Sequence, residues 1–365
     1  MRDEVNRSPA TGHGSRLFAA AALLLISGCA NVGYYWQSVK GQIDVWSRQR
    51  SIAEVLQDTD APEGTRDRLA RVLRMREFAV RELGLPDNAS FTRYADLERP
   101  YVVWNVFATP ELSLKPLSWC FAFVGCVSYR GYFSKEEAER FAAELAKQGH
   151  DVYVGGVPAY STLGWFADPV LNTVIGYSNP RLALLIFHEL AHQVTYVRDD
   201  SVFNESFAVA VEREGVKRWL ARHGTARDKA TYERGLARRD DFLRLVVTYR
   251  GRIKVLYQSG LDPDTMRARK QETFAEMVRD YERLKAGWDG FAGYDRWFAQ
   301  GPNNAHLASV ALYTQMVPAF QALLAREGGD LPRFYKAVRE LARLPRAERV
   351  AALRATIPRS VAGVQ

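Results

Sequence analysis

His188-Glu189-Leu190-Ala191-His192 has the residue types and spacing of a metal-assisted hydrolytic centre. On an α-helix, residues four apart lie one above the other, so His188 and His192 can turn two imidazole nitrogens toward a single cation. Glu189 follows about 100° further round the helix, where its carboxylate reaches a water held by that cation without being a ligand itself. That is the place of a general base. At average residue usage the pattern arises by chance in on the order of one chain in a hundred of this size. The competing reading is a pair of buried, hydrogen-bonded histidines on an apolar helix, so the surroundings must decide. Leu184, Leu185, Ile186, Leu190 and Ala191 supply dry walls that strengthen the grip on an ion.

A third ligand is expected from Asn204-Glu205-Ser206-Phe207-Ala208. If one helix ends near Tyr196 or Val197 and the next begins at Ser201, His192 lies about 7 Å before the turn and Glu205 about 6 Å after it, at 1.5 Å per residue. The two would then be level. Glu212, two turns deeper on the same face as Glu205, is the other ligand candidate, with an outer carboxylate or a packing residue as its plainer role. Two histidines, one glutamate and a fourth position open to water form the ligand set of a catalytic Zn2+, of which one ion is expected.

The elements that must position these residues are readable on both sides. Asn179-Pro180 offers an N-cap and a first-turn proline, opening a helix over 181–197. Asp199-Asp200-Ser201 is turn and cap material, and a second helix runs to Arg222 before Gly224. Upstream, Tyr101 to Phe107 and Cys120 to Tyr129 are β-branched and aromatic and predict strands, as does the short Val152-Tyr153-Val154. Ser134-Lys135-Glu136-Glu137 predicts a capping box and a helix to Gly149. Tyr160 to Phe166, alternating between Pro158 and Pro169, predicts an edge strand onto which an extended peptide could add. Helical spacing is also present over 31–59, over 62–84 with Pro62 and Gly84 as start and stop, and downstream over 227–258, 263–286, 304–326 and 331–344.

The N-terminus carries an address. Leu17 to Ile26 is an apolar run of signal-peptide length with Arg16 before it, too short to span a bilayer. It ends Ile26-Ser27-Gly28-Cys29, which resembles the bacterial lipobox. The resemblance implies removal of residues 1–28, lipid on Cys29, and a folded body anchored on the periplasmic side of the cell envelope; Ala30 in place of Asp favours the outer membrane. Cys120 and Cys126 are then an even pair in an oxidising compartment, and a disulfide contributing about 2 kcal/mol is expected. At 365 residues, 47% hydrophobic and 25% charged, disordered and fibrous classes are excluded. The net charge of +8 is spread, with Arg66-Asp67-Arg68 and Arg238-Arg239-Asp240-Asp241 interleaving the signs. Solvated helix faces account for it, and no nucleic-acid partner is expected.

The metal motif with a glutamate on the following helix looks like the gluzincin metallopeptidases, and Asn204 to Ala208 resembles the third-ligand segment of the thermolysin group. Nearly the whole chain resembles a family of bacterial lipoproteins classed as predicted zinc aminopeptidases. The residues that carry this are Gly33 to Gln37, Arg99 to Val106, Gly155 to Phe166, Phe187 to Gln193 and Phe203 to Ala208. The resemblance implies an envelope peptidase acting on peptide substrates. An aminopeptidase must hold the substrate ammonium with an acid; the Gly-x-Met-Glu-Asn segment that commonly does so is missing, leaving Glu111, Asp168 and Glu212 as candidates. A donor to the transition state is expected beyond the third ligand, with Tyr313 and His306 as candidates.

The expected architecture is α+β and zincin-like, with a small mixed sheet packed on the metal helix. The expected regions are a signal peptide (1–28), an N-terminal helical region (29–98), the sheet with the metal-binding helices (99–224) and a C-terminal helical region (225–365). The expected function is zinc-dependent peptide hydrolysis by His188, His192, Glu205 and the base Glu189. The alternative is a non-catalytic envelope binding or assembly lipoprotein with a structural or vestigial zinc site; a third possibility is hydrolysis of peptidoglycan stem peptides. Nothing in the chain fixes an oligomeric state.

Overall fold

The computed structural model describes residues 33–121, 125–163, 165–311 and 316–357. The chain divides into two compact units, residues 1–47 and 48–365. In the first, the described part is a single helix, α1, over residues 33–47. The helical spacing does not continue to residue 59 as expected. Residues Gln49–Ser51 form a strand, β1, and Ile52–Gln57 a separate helix, α2, whose start is set where the Ser51 N–H donates to the Glu54 carboxylate.

The second unit is α+β, as the sequence predicts. Helix α3 (Glu63–Leu83) ends on Gly84, which takes the left-handed conformation (φ 64°) that glycine adopts without a Cβ penalty. Strand β2 (Arg93–Ala95) pairs antiparallel with β1. Strand β3 (Val103–Pro110) is buried along nearly its whole length, which explains its unbroken apolar and aromatic sequence. The expected strand over 120–129 is divided instead: β4 (Trp119–Phe121) and β5 (Gly125–Val127) pair antiparallel and place Cys120 opposite Cys126, and a disulfide joins them. Next come β6 (Arg130–Tyr132), α4 (Lys135–Lys147, capped by Ser134) and β7 (His150–Val157). The order β6-β3-β7 is antiparallel throughout, and β7 is longer than the three residues expected.

Among the described residues of Tyr160 to Phe166 there is no strand. Asp168 organises them as a loop, its carboxylate accepting from the Thr162 N–H (3.0 Å) and the Ser161 hydroxyl (3.3 Å). These local bonds give the backbone an alternative to a sheet ladder. The edge of the main sheet beside the C-terminal half is β7, whose Val152 and Val154 carbonyls accept from Asn303 and Gln300. Strand β8 (Val170–Leu171) joins β2 in parallel, and α5 (Asn172–Ile175) leads toward the two central helices, α6 (Asn179–Ala191) and α7 (Ser201–His223). The remaining elements are α8 (Ala226–Tyr257), α9 (Pro263–Ala286), α10 (Asp295–Ala299), α11 (Asn304–Ala311), α12 (Val317–Arg326), α13 (Leu331–Ala342) and α14 (Arg346–Arg354). Helices α4 and α11 both pack on β3 and β7, while Phe187, Phe203, Phe207, Phe320 and Phe334 form the centre of the larger core around α6 and α7. A second aromatic core gathers Phe242, Tyr281, Trp297 and Phe298 from α8, α9 and α10. Among the described residues, no helix is long and apolar enough to cross a membrane.

Candidate metal centre

Helix α6 starts at an extended Ser178, takes Pro180 in its first turn, and buries Leu182, Ala183, Ile186, Phe187 and Leu190. It ends sooner than expected, at Ala191, with His192 as its C-terminal cap still in helical conformation (φ −57°, ψ −22°). The two histidines therefore keep the one-above-the-other relation although the helix does not reach Val197. The connection is held from the far side: the Asn204 side chain accepts from the Val197 N–H and donates to the Val197 carbonyl, both at 2.8 Å. Asp200 caps α7 by accepting from the Phe203 N–H (3.2 Å). This fixes the register at which Glu205 faces the histidines.

Three donor atoms converge. His188 Nε2 and His192 Nε2 are 3.2 Å apart, and Glu205 Oε2 lies 3.3 Å from the first and 3.7 Å from the second. Donors about 2.0–2.1 Å from a tetrahedral ion are separated from one another by roughly 3.3 Å, so the triangle fits one face of such a polyhedron. Among the described residues, these are the three that could hold a metal ion together. Glu212 does not join them: its Oε2 accepts from His188 Nδ1 at 2.8 Å and its Oε1 accepts from Arg239 at 2.9 Å. A carboxylate on Nδ1 keeps the proton there and leaves the Nε2 lone pair for a cation. His192 has no counterpart, its Nδ1 lacking a hydrogen-bond partner among the described residues.

Electrostatics agree with the geometry. Burial opposes a charge on His188, yet the hydrogen bonds of Glu205 and Glu212 and the charge of Glu212 hold its pKa well above the ordinary imidazole value. The carboxylates around it are arranged for positive charge. Burial pushes His192 down to about 4, which keeps it neutral and able to ligate. Burial raises Glu189 to about 7; the nearby His188 works against this, while Glu205, Asp168 and Glu212 add to it. A carboxyl poised there can both take and give a proton near neutrality.

The other expected residues are scattered. Glu111 is paired with Arg267 (2.9 Å) and engaged through its carbonyl by Lys270 (2.8 Å). Asp168 is buried, 5% exposed, and lies close enough to Glu189 to influence its titration. Burial raises its own pKa against the pull of Thr162 and Ser161. His306 is fully buried with its ring 4.2 Å from that of Tyr153, beyond the reach of a substrate. Tyr313 and Cys29 lie outside the described residues. Two residues not anticipated belong to the site. Arg239 supports Glu212, and Tyr196 sits in the field of Glu205, which with burial raises its phenol. Tyr196 is four residues after His192, a spacing that could have pointed to it; Arg239, in the middle of a long charged helix, gives no signal.

A family model described as "Putative aminopeptidase" matches residues 33–353. No curated protein and no solved structure matches the chain.

Proposed function

We propose, on the premise that this chain belongs to the "Putative aminopeptidase" family, that it is a zinc-dependent peptidase removing residues from the N-termini of peptides. We further propose that lipid on Cys29 holds it on the periplasmic side of the outer membrane. The observation that carries the catalytic reading is the tetrahedral spacing of His188, His192 and Glu205 with Glu189 beside them. Zinc fits the donor set of two imidazoles and one carboxylate; when bound, it supplies Lewis acidity that acidifies water and polarises a carbonyl. Glu212 holds the His188 proton on Nδ1. Glu189 takes a proton from the attacking water as the new C–O bond forms, and delivers it to the departing amine as the C–N bond breaks. We assign the substrate ammonium to Asp168. Glu212 is already shared between His188 and Arg239, Glu111 is bound to Arg267, and Asp168 has no cationic partner among the described residues.

Terminal sequencing of products from matched free and N-acetylated peptides tests this. Free peptides should lose residues stepwise and acetylated ones should persist; internal cleavage of the acetylated set makes the enzyme an endopeptidase. Glu189→Gln should retain one zinc per chain and lose turnover, and continued cleavage by that protein sinks the mechanism. A zinc-loaded wild type that yields no new termini from a peptide library favours the binding lipoprotein instead. Anchoring is read separately, by the mass of the N-terminal peptide and by release of Cys29→Ser into the soluble fraction.

A further inference from the structure

Arg239 does more than support Glu212: it also lines a cavity of about 290 Å³ between β7, α8, α10 and α11. Phe107, Phe242, Tyr294 and Trp297 give that cavity aromatic walls, and Gly155 and Gly156 contribute bare strand. Arg239 is the one charged side chain among its described lining residues. A guanidinium has five N–H donors and no acceptor. Arg239 spends one nitrogen on Glu212, and no other protein acceptor lies within hydrogen-bond distance of it among the described residues. Its side chain is 26% exposed, so the remaining donors are not sealed in protein. The cavity thus combines apolar surface with a cation whose fork is unfilled, two hydrogen bonds away from His188.

We propose that this cavity binds a carboxylate of the substrate, seated on Arg239, together with an adjoining apolar or aromatic side chain. The inference rests on the peptidase reading and narrows it to peptides that carry a carboxylate within a few residues of the bond cut. A carboxylate accepts two parallel N–H bonds from guanidinium, whereas a neutral amide offers one weaker acceptor. Water could fill the fork instead, but the aromatic walls favour an occupant with a ring or a branched chain beside its charge. The carboxylate has two sources, the C-terminus of a short peptide or an acidic side chain.

Titration calorimetry on zinc-loaded Glu189→Gln protein, which binds without consuming its ligand, separates these. The probes are N-acetyl-phenylalanine, N-acetyl-phenylalaninamide and N-acetyl-glutamyl-phenylalaninamide. The first or the third should bind at least about tenfold tighter than the neutral amide, and whichever does names the source; equal binding of all three overturns the proposal. A carboxylate that merely ligates zinc would keep its advantage when Arg239 is changed. Arg239→Gln is therefore introduced with zinc content measured, and Ser309→Asp, which puts a competing carboxylate in the cavity wall, is the second variant should the first lose metal. The acid preference should collapse in either zinc-replete variant, and its survival there also overturns the proposal. Stepwise cleavage by wild type with no acid preference leaves the peptidase standing without this subsite. Acid preference in a protein that cuts no peptide does the reverse.

Discussion

Glu212 answers two demands at once, and a single substitution can separate them. It is 2% exposed, so its charge is tolerated only because His188 Nδ1 and Arg239 both engage it. Glu212→Gln keeps the shape and an acceptor for the imidazole but removes the charge that raises the basicity of His188. Outer partners of this kind change metal affinity by about 10–100-fold, so chelator competition should show a zinc affinity weaker by that factor with the circular dichroism unchanged. At this scale the sequence was informative where the chemistry is local. His188, Glu189 and His192 are fixed by helical periodicity alone. The choice of Glu205 over Glu212 followed from register, although the premise that α6 runs to Val197 was wrong by about a turn and a half; the helical conformation of His192 kept the conclusion intact. Arg239 was invisible because its role exists only across 27 residues of separation, in a helix that carries several other arginines with nothing in the sequence to set this one apart.

Among elements, the tight approach of α7 to α6 depends on Gly215. A Cβ there would lie 2.8 Å from Leu83 Cδ1 and 2.8 Å from Phe187 Cδ2, and Phe187 immediately precedes the first histidine. Alanine gains about 1 kcal/mol of helix propensity over glycine, whereas overpacking a filled core costs about 1–3 kcal/mol. The Phe187 ring is fully buried and has little room to yield, so the second effect should win. Gly215→Ala is expected to be less stable by about 1 kcal/mol in urea unfolding and to bind zinc more weakly, because α6 must shift where His188 is attached. Stability equal to or above wild type would show that the contact is slack. The sheet shows the limit of local reading. Strand β3 was legible from its β-branched and aromatic run, but Tyr160 to Phe166, which alternates as an edge strand would, has no strand among its described residues, because Asp168, outside the run, captures Thr162 and Ser161. Pairing partners decide strands, and no short window contains them.

Across the whole molecule, the last helix, α14, ties back to the start of α7, the helix that carries Glu205, through a buried ion pair. Arg349 of α14 donates to Asp200 from Nη2 at 2.7 Å and from Nε at 3.2 Å, with both side chains at most 5% exposed, and its Nη1 donates to the Leu344 carbonyl at 2.8 Å. Since Asp200 also caps α7, Arg349→Met should cost about 3–5 kcal/mol by stranding the carboxylate, and Asp200→Asn on that background should recover part of the loss in chemical unfolding. The pH dependence of stability draws on another buried group. Burial lowers His306 to about 3, outweighing the opposing Trp297 backbone, while an unfolded histidine titrates near 6.5. Its folded pKa lies below its unfolded one, so the unfolded chain binds more protons between those values and stability is lost as the pH is lowered across that window. The contribution is fully present above about pH 7 and has dropped by about 2 kcal/mol at pH 5. His306→Gln retains a group that can bond to Asn303, which holds the imidazole at 3.0 Å, and removes the titration. The variant should be less stable than wild type at pH 7.5, with the gap between them narrowing by about 2 kcal/mol at pH 5. Urea midpoints at the two pH values, taken on metal-stripped protein so that zinc release from His188 and His192 does not enter, give the comparison. A gap that stays constant means that His306 titrates in the folded protein as it does in the unfolded chain, and a gap that widens toward pH 5 means that the folded protein already holds the proton, with the aromatic pocket of Tyr153 and Trp297 stabilising its charge.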